Sequence, residues 1–144
     1  MNSINTIGGK DYQRKYAQSI ADFCIATLMP RMRSLDITIK LTSLNGVMGF
    51  CQELGTNREF ELEIDRKLTL RKMLETVAHE MVHVKQYARR ELGPGPRWCG
   101  KTYSPEKVSY WDLPWEIEAH GRELGLFVRW CELHTHRADW TQLA

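Results

Sequence analysis

The sequence predicts one α+β domain: an N-terminal helix, a small three-stranded antiparallel sheet, and two further helices. Three observations predict it. Apolar residues recur at three-to-four spacing in residues 10–33, 68–91 and 114–136. Between the first two of these stretches, three short segments alternate apolar and polar residues, as half-buried strands do. The length, 144 residues, suits a single domain spanning 1–144 that buries a real core without staples.

The first helix rests on Tyr16, Ile20, Phe23, Cys24, Thr27 and Leu28, with Pro30 near its C-terminal end. Residues 35–41, LDITIKL, alternate as a strand, and Asn45-Gly46 is a turn signal. VMGFCQEL follows as a second strand, Gly55-Thr56-Asn57 turns the chain, and REFELEID is the third. In that third strand Phe60, Leu62 and Ile64 alternate with Glu59, Glu61 and Glu63, and an antiparallel meander is the simplest pairing. Residues 68–91 carry the clearest helical period. Residues 92–113 are rich in Gly, Pro and aromatics and read as an ordered loop. Pro114 suits the first turn of the last helix, with Asp112 as an N-cap candidate, and a basic and polar tail follows about residue 136.

Composition narrows the function. Hydrophobic residues make up 42% and charged residues 26%, as in ordinary globular domains. Twenty basic against 18 acidic residues leave a net charge of +2, too even to make nucleic acid or an anionic membrane the expected partner. No run approaches the roughly 18 apolar residues of a membrane helix. The opening MNSINTIGGKDYQRK lacks the apolar core of a secretory signal, so a cytoplasmic protein is the expectation. Cys24, Cys51, Cys99 and Cys131 form no CxxC pair, which excludes a local cysteine zinc ribbon, and free thiols are expected.

The chemistry lies in His79-Glu80-Met81-Val82-His83. Histidines four apart on a helix share a face one turn apart and can grip one Zn²⁺, with the intervening Glu beside a water on the metal. On a wheel of about 100° per residue, Leu70, Met73, Leu74, Val77, Met81, Val84 and Ala88 form one apolar stripe. His79 and His83 lie nearly opposite it, beside Lys72, Gln86 and Arg90, and so face a cleft or solvent. A catalytic zinc needs a third protein ligand. The extended HExxHxxGxxH pattern is broken by Gln86 and Arg89, which leaves Glu116, Glu118, His120, His134 and His136 as candidates.

HEMVHVKQY followed by PWEIEAHGRE resembles the gluzincin-type zincins, most closely small phage- and bacteria-encoded metallopeptidases with HExxHxxQ and a later Glu-Ala. The resemblance covers roughly residues 75–125. It implies a zincin-like fold and a peptidase acting on a peptide or protein, with Zn²⁺ held by His79, His83 and the Glu before Ala119, Glu118, while Glu116 stays open as an alternative. Glu80 would be the general base. The family's Asp four residues after the ligand Glu is here Arg122, so Glu116, Glu123 or Asp112 would have to orient a ligand histidine. The oxyanion would be met by Tyr103, Tyr110, Arg97 or His120. An extended substrate lying along REFELEI would meet its glutamates and so be basic.

Two other readings compete. One is a zinc-binding protein without catalysis, which would have no use for Glu80. The other is a SprT-like nucleic-acid-associated protease drawing on Lys72, Lys85, Arg89, Arg90, Arg97 and Lys101. That type carries a third histidine and often a cysteine ribbon, both absent at the required spacings. Oligomeric state is not legible in the sequence.

Overall fold

The structure is a computed structural model that describes residues 1–134. The chain runs through β1 (Ser3–Gly8), α1 (Asp11–Leu28), β2 (Asp36–Thr42), β3 (Gly49–Glu53), β4 (Glu59–Asp65) and α2 (Leu70–Ala88). A short hairpin of β5 (Arg97–Trp98) and β6 (Lys101–Thr102) and a 3-10 turn at Tyr110–Asp112 lead into α3 (Pro114–His134).

The three segments expected as strands are strands, but the meander is wrong. The sheet has four strands in the order β1-β2-β4-β3. β1, β2 and β4 run parallel, and only β3 is antiparallel, to β4. Strand composition explains the order. Phe60, Leu62 and Ile64 of β4 are 0–1% exposed and sit in register with Ile37, Ile39 and Leu41 of β2. A strand this apolar on one face belongs inside the sheet, and the more polar GFCQE of β3 takes the edge. β1 had no expected counterpart. Its SINTIG reads as a polar leader, and it becomes a strand because α1 returns the chain to lay β2 parallel beside it.

α1 and α2 cover one face of the sheet. Ala17, Ile20, Ala21 and Cys24 of α1 and Met73, Leu74, Val77, Met81 and Val84 of α2 are fully buried against the β2 and β4 side chains. The sheet's other face is polar, and there Lys40 bridges Glu61 at 2.6 Å. α3 packs on α2. Its C-terminal half is anchored by Trp130, which is fully buried, lies edge-on to Tyr16 and donates to Ser19 Oγ at 3.0 Å. This leaves the N-terminal half of α3 lying over the outer side of α2.

Helix ends follow local chemistry. α1 stops at Leu28, before Met29 and Pro30, because the residue preceding a proline is disfavoured in the helical region. Thr69 caps α2 by accepting from the Lys72 N–H at 3.3 Å. Arg90 turns left-handed (φ 60°) just beyond its end. Asp112 is not the cap of α3: it closes the 3-10 turn, and the Leu113 carbonyl accepts the first helical N–H bonds, from Glu116 and Ile117 at 3.0 Å each. The loop between α2 and α3 has its own small core of Leu92, Leu113 and Trp115, backed by Tyr87, Trp98, Tyr103 and Val108. The four cysteines are free thiols. Among the described residues, no helix is long and apolar enough to cross a membrane.

Candidate metal centre

α2 is buried nearly all round, so its outer side is a cleft floor rather than a solvent face. His79, Glu80 and His83 are 9%, 4% and 7% exposed. The two imidazoles stand one turn apart, with ring centroids 4.9 Å from each other. α3 closes over them and presents Glu116. Its Oε1 lies 3.1 Å from His79 Nε2 and its Oε2 lies 3.3 Å from His83 Nε2.

These separations test the donor set. Ligand atoms about 2.0–2.1 Å from a tetrahedral Zn²⁺ stand about 3.3 Å from one another. The Nε2–carboxylate distances match that spacing. Two imidazole nitrogens and one carboxylate oxygen also make up a familiar catalytic zinc set, which leaves a fourth position open. The residues present therefore fit the metal.

The Nδ1 atoms are held from behind. His83 Nδ1 meets Gln86 Oε1 at 2.8 Å. The amide nitrogen of Gln86 is already committed, donating to Trp115 O and Glu118 Oε1 at 3.0 Å each. Gln86 must therefore offer its oxygen and His83 must carry a proton on Nδ1, so the neutral ring presents its Nε2 lone pair toward Glu116. His79 Nδ1 meets Glu123 Oε1 at 3.2 Å. Glu123 thus occupies the place sought among Glu116, Glu123 and Asp112, and Gln86 fills the corresponding one for His83.

Glu118, the ligand expected from the Glu-Ala pattern, does not face the two histidines; Glu116 does. The Glu118 carboxylate is taken up by Lys85 Nζ at 2.7 Å, Arg122 Nε at 3.0 Å and Gln86. Two residues along a helix is a turn of roughly 200°, so Glu116 and Glu118 cannot both face the histidines. The missed signal is Glu116, His120 and Glu123, spaced i, i+4 and i+7, which form one stripe of donors on α3 facing the His-Glu-x-x-His helix. His120 lies against His79 (centroids 4.5 Å), and His79, His120 and Glu123 offer donor atoms within 4.8 Å of one another, as do His79, Glu80 and His83.

Of the four oxyanion candidates, two reach the site. Tyr110 Oη lies 2.9 Å from Glu116 Oε1 and 2.9 Å from His120 Nε2. Arg97 instead donates to Gly100 O within its hairpin at 3.2 Å, and Tyr103 packs edge-on to Trp115. His134 turns back to Trp130 O at 3.2 Å, far along α3, and His136 lies outside the described residues.

Charge in the cluster is set by what surrounds it. Burial would lower the His79 pKa, but hydrogen bonds to Glu116 and Glu123 outweigh it and push it up to about 9. His83 is raised too: burial again opposes, and the Glu116 hydrogen bond and the Glu80 and Glu116 charges prevail. Burial works against Glu116 ionising, yet the bonds from His79 and His83 hold it well below the usual carboxylate range. Glu80 is raised, by burial first, with the His83 and His79 charges only partly offsetting it. A buried carboxylate raised in this way is a stronger proton acceptor than an exposed one. The cluster as a whole favours positive charge at its centre.

A cavity of about 640 Å³ opens over the centre. One wall is Gly46–Cys51, leading into edge strand β3, and the other includes Tyr87, Leu92, Tyr110 and Trp115. Gly49 lets β3 lie low on α2, since a Cβ there would sit 2.9 Å from Glu63 O and 3.0 Å from Thr76 Cγ2. β4 is an interior strand with Glu61 bound to Lys40, so its glutamates do not form the substrate-side edge expected of REFELEI. The basic residues do not gather into one free patch either: Lys85 is buried between Glu91 and Glu118, Arg89 reaches Leu28 O, and Lys101 lies over Tyr103. Compared with protein-family models, with curated proteins and with solved structures, the chain matches none.

Proposed function

We propose that the protein is a zinc-dependent peptidase of the gluzincin type, with a zincin-like fold, in which His79, His83 and Glu116 hold Zn²⁺ and Glu80 is the general base. One observation carries the reading: the Nε2 atoms of two histidines one helical turn apart each lie 3.1–3.3 Å from the Glu116 carboxylate, beside the buried Glu80, on the floor of an open cavity. Zinc there supplies Lewis acidity, acidifying a water and polarising a substrate carbonyl. Glu80 accepts the proton of the attacking water and returns it to the leaving amine. Tyr110 and His120 are the hydrogen-bond donors for the carbonyl oxygen as it gains charge.

The free edge of β3 suits an extended peptide added as a further strand. The cavity walls, with Val47, Met48, Tyr87, Leu92 and Trp115, favour apolar side chains beside the scissile bond rather than basic ones. The cavity and the poised Glu80 also favour catalysis over a purely structural zinc, which needs neither.

The test is metal content beside cleavage of a peptide library. Glu80→Gln should keep one zinc per chain and lose cleavage, and Glu116→Ala should lose the zinc. Full zinc retention in Glu116→Ala, or undiminished cleavage by Glu80→Gln, would sink the reading.

A further inference from the structure

Five side chains in the centre close a hydrogen-bonded ring. Glu123 Oε1 meets His79 Nδ1 at 3.2 Å, His79 Nε2 meets Glu116 Oε1 at 3.1 Å, and Glu116 Oε1 meets Tyr110 Oη at 2.9 Å. Tyr110 Oη meets His120 Nε2 at 2.9 Å, and His120 Nδ1 returns to the same Glu123 Oε1 at 2.7 Å. Glu123 is where a metal-holding histidine and the Tyr110–His120 pair meet, and it joins them through one oxygen atom.

We propose that Glu123 is a single positioning residue for both halves of the centre: it sets the ring of His79 toward the metal and the ring of His120 toward Tyr110. The proposal rests on the peptidase reading for the role of Tyr110 and His120, and on geometry alone for the linkage. The carboxylate is acceptor-only, so both Nδ1 atoms must carry their protons toward it. That fixes both ring orientations at once. His79 Nε2 is then the nitrogen left for the metal, and His120 Nε2 is the one turned to Tyr110 Oη, whose proton is donated to Glu116 Oε1 at 2.9 Å. The side chain of Glu123 is 17% exposed and sits one turn past His120 on α3, so neither histidine can turn without disturbing the oxygen that holds the other.

The consequence is coupling. A usual orienting carboxylate serves one histidine, and its loss weakens metal binding only. Loss of Glu123 should weaken metal binding and, separately, misplace Tyr110. Glu123→Leu is the informative variant because it keeps an apolar side chain of similar bulk and removes the one oxygen atom that both Nδ1–H groups reach.

The experiment measures Zn²⁺ affinity by chelator competition, the imidazole N–H proton resonances of the zinc-loaded protein, and kcat and KM at saturating zinc. It compares the parent with Glu123→Leu, Glu123→Asp, His120→Ala and the Glu123→Leu/His120→Ala double variant. Expected for Glu123→Leu are zinc affinity lower by about 10–100-fold, loss of two Nδ1–H resonances, and a fall in kcat no further deepened by adding His120→Ala. His120→Ala alone should lower kcat and keep zinc, and Glu123→Asp should recover part of both properties. Unchanged zinc affinity, loss of a single resonance, or fully additive losses in the double variant would overturn the linkage. If no peptide is cleaved by any form, the peptidase reading fails, while zinc affinity and the two resonances still decide whether Glu123 holds both histidines.

Discussion

The two sides of α2 are both buried, yet they are made of opposite material. Toward the sheet and α1 it sets Met73, Leu74, Val77, Met81 and Val84 into a contiguous apolar core. Toward α3 it sets His79, Glu80, His83, Lys85 and Gln86, all below 10% exposure. The first side gains from leaving water. The second loses hydration and recovers it only by pairing: Lys85 with Glu91 and Glu118, Gln86 with Trp115 O, Glu118 and His83, and the histidines with Glu116 and Glu123. One side is made to hold the molecule together. The other spends stability on keeping donors pointed at one place, as functional sites do.

Substitutions should separate the two sides, by turnover on one and stability on the other. The largest effect should be Glu80→Gln, lowering turnover by about 10²–10⁴-fold while leaving thermal stability near the parent's, as assayed by peptide cleavage and calorimetry. Leu74→Ala on the opposite side should cost about 2–5 kcal/mol in denaturant unfolding and leave zinc affinity intact in whatever fraction stays folded. Gln86→Leu comes next. It removes the acceptor for His83 Nδ1, so zinc affinity should fall by about 10–100-fold, read by chelator competition.

The pH response sharpens the contrast further. His79 is raised from 6.5 to about 9 in the metal-free fold, so its contribution to stability is full below 6.5 and is lost as pH rises toward about 9. Zinc needs that imidazole neutral. The metal-free melting temperature should therefore drop between pH 6.5 and 9 while the increment given by added zinc grows, and an increment that shrinks over this range would contradict the ligand assignment. The smallest effect is Glu118→Gln, costing roughly 1 kcal/mol through its weakened bonds to Lys85 and Arg122, with no change in zinc affinity.

How far the sequence carries depends on range. The His-Glu-x-x-His helix, the apolar stripe beside it and the alternation in LDITIKL and EFELEID are local periodicities, and the structure has all of them. Strand order is not local. Nothing within SINTIG marks a strand, and nothing within GFCQE says that it lies outside EFELEID. Those facts come from α1 returning the chain parallel and from the competition of apolar strands for the middle of the sheet. The ligand carboxylate falls between these cases. Glu116 and Glu118 differ by a rotation about α3, and that rotation is set by Trp130 and Phe127 packing farther along the same helix. The stripe Glu116–His120–Glu123 records the outcome in sequence and was readable there.

The small separate core of the loop between α2 and α3 bears on local stability. Leu92, Leu113 and Trp115 tie one cleft wall together largely independently of the main core, with Tyr87 shared between the two. Such a unit can open while the sheet and α1 stay closed. The wall is then a separate cooperative unit, whose opening would change access to the cleft floor without moving the donors on that floor.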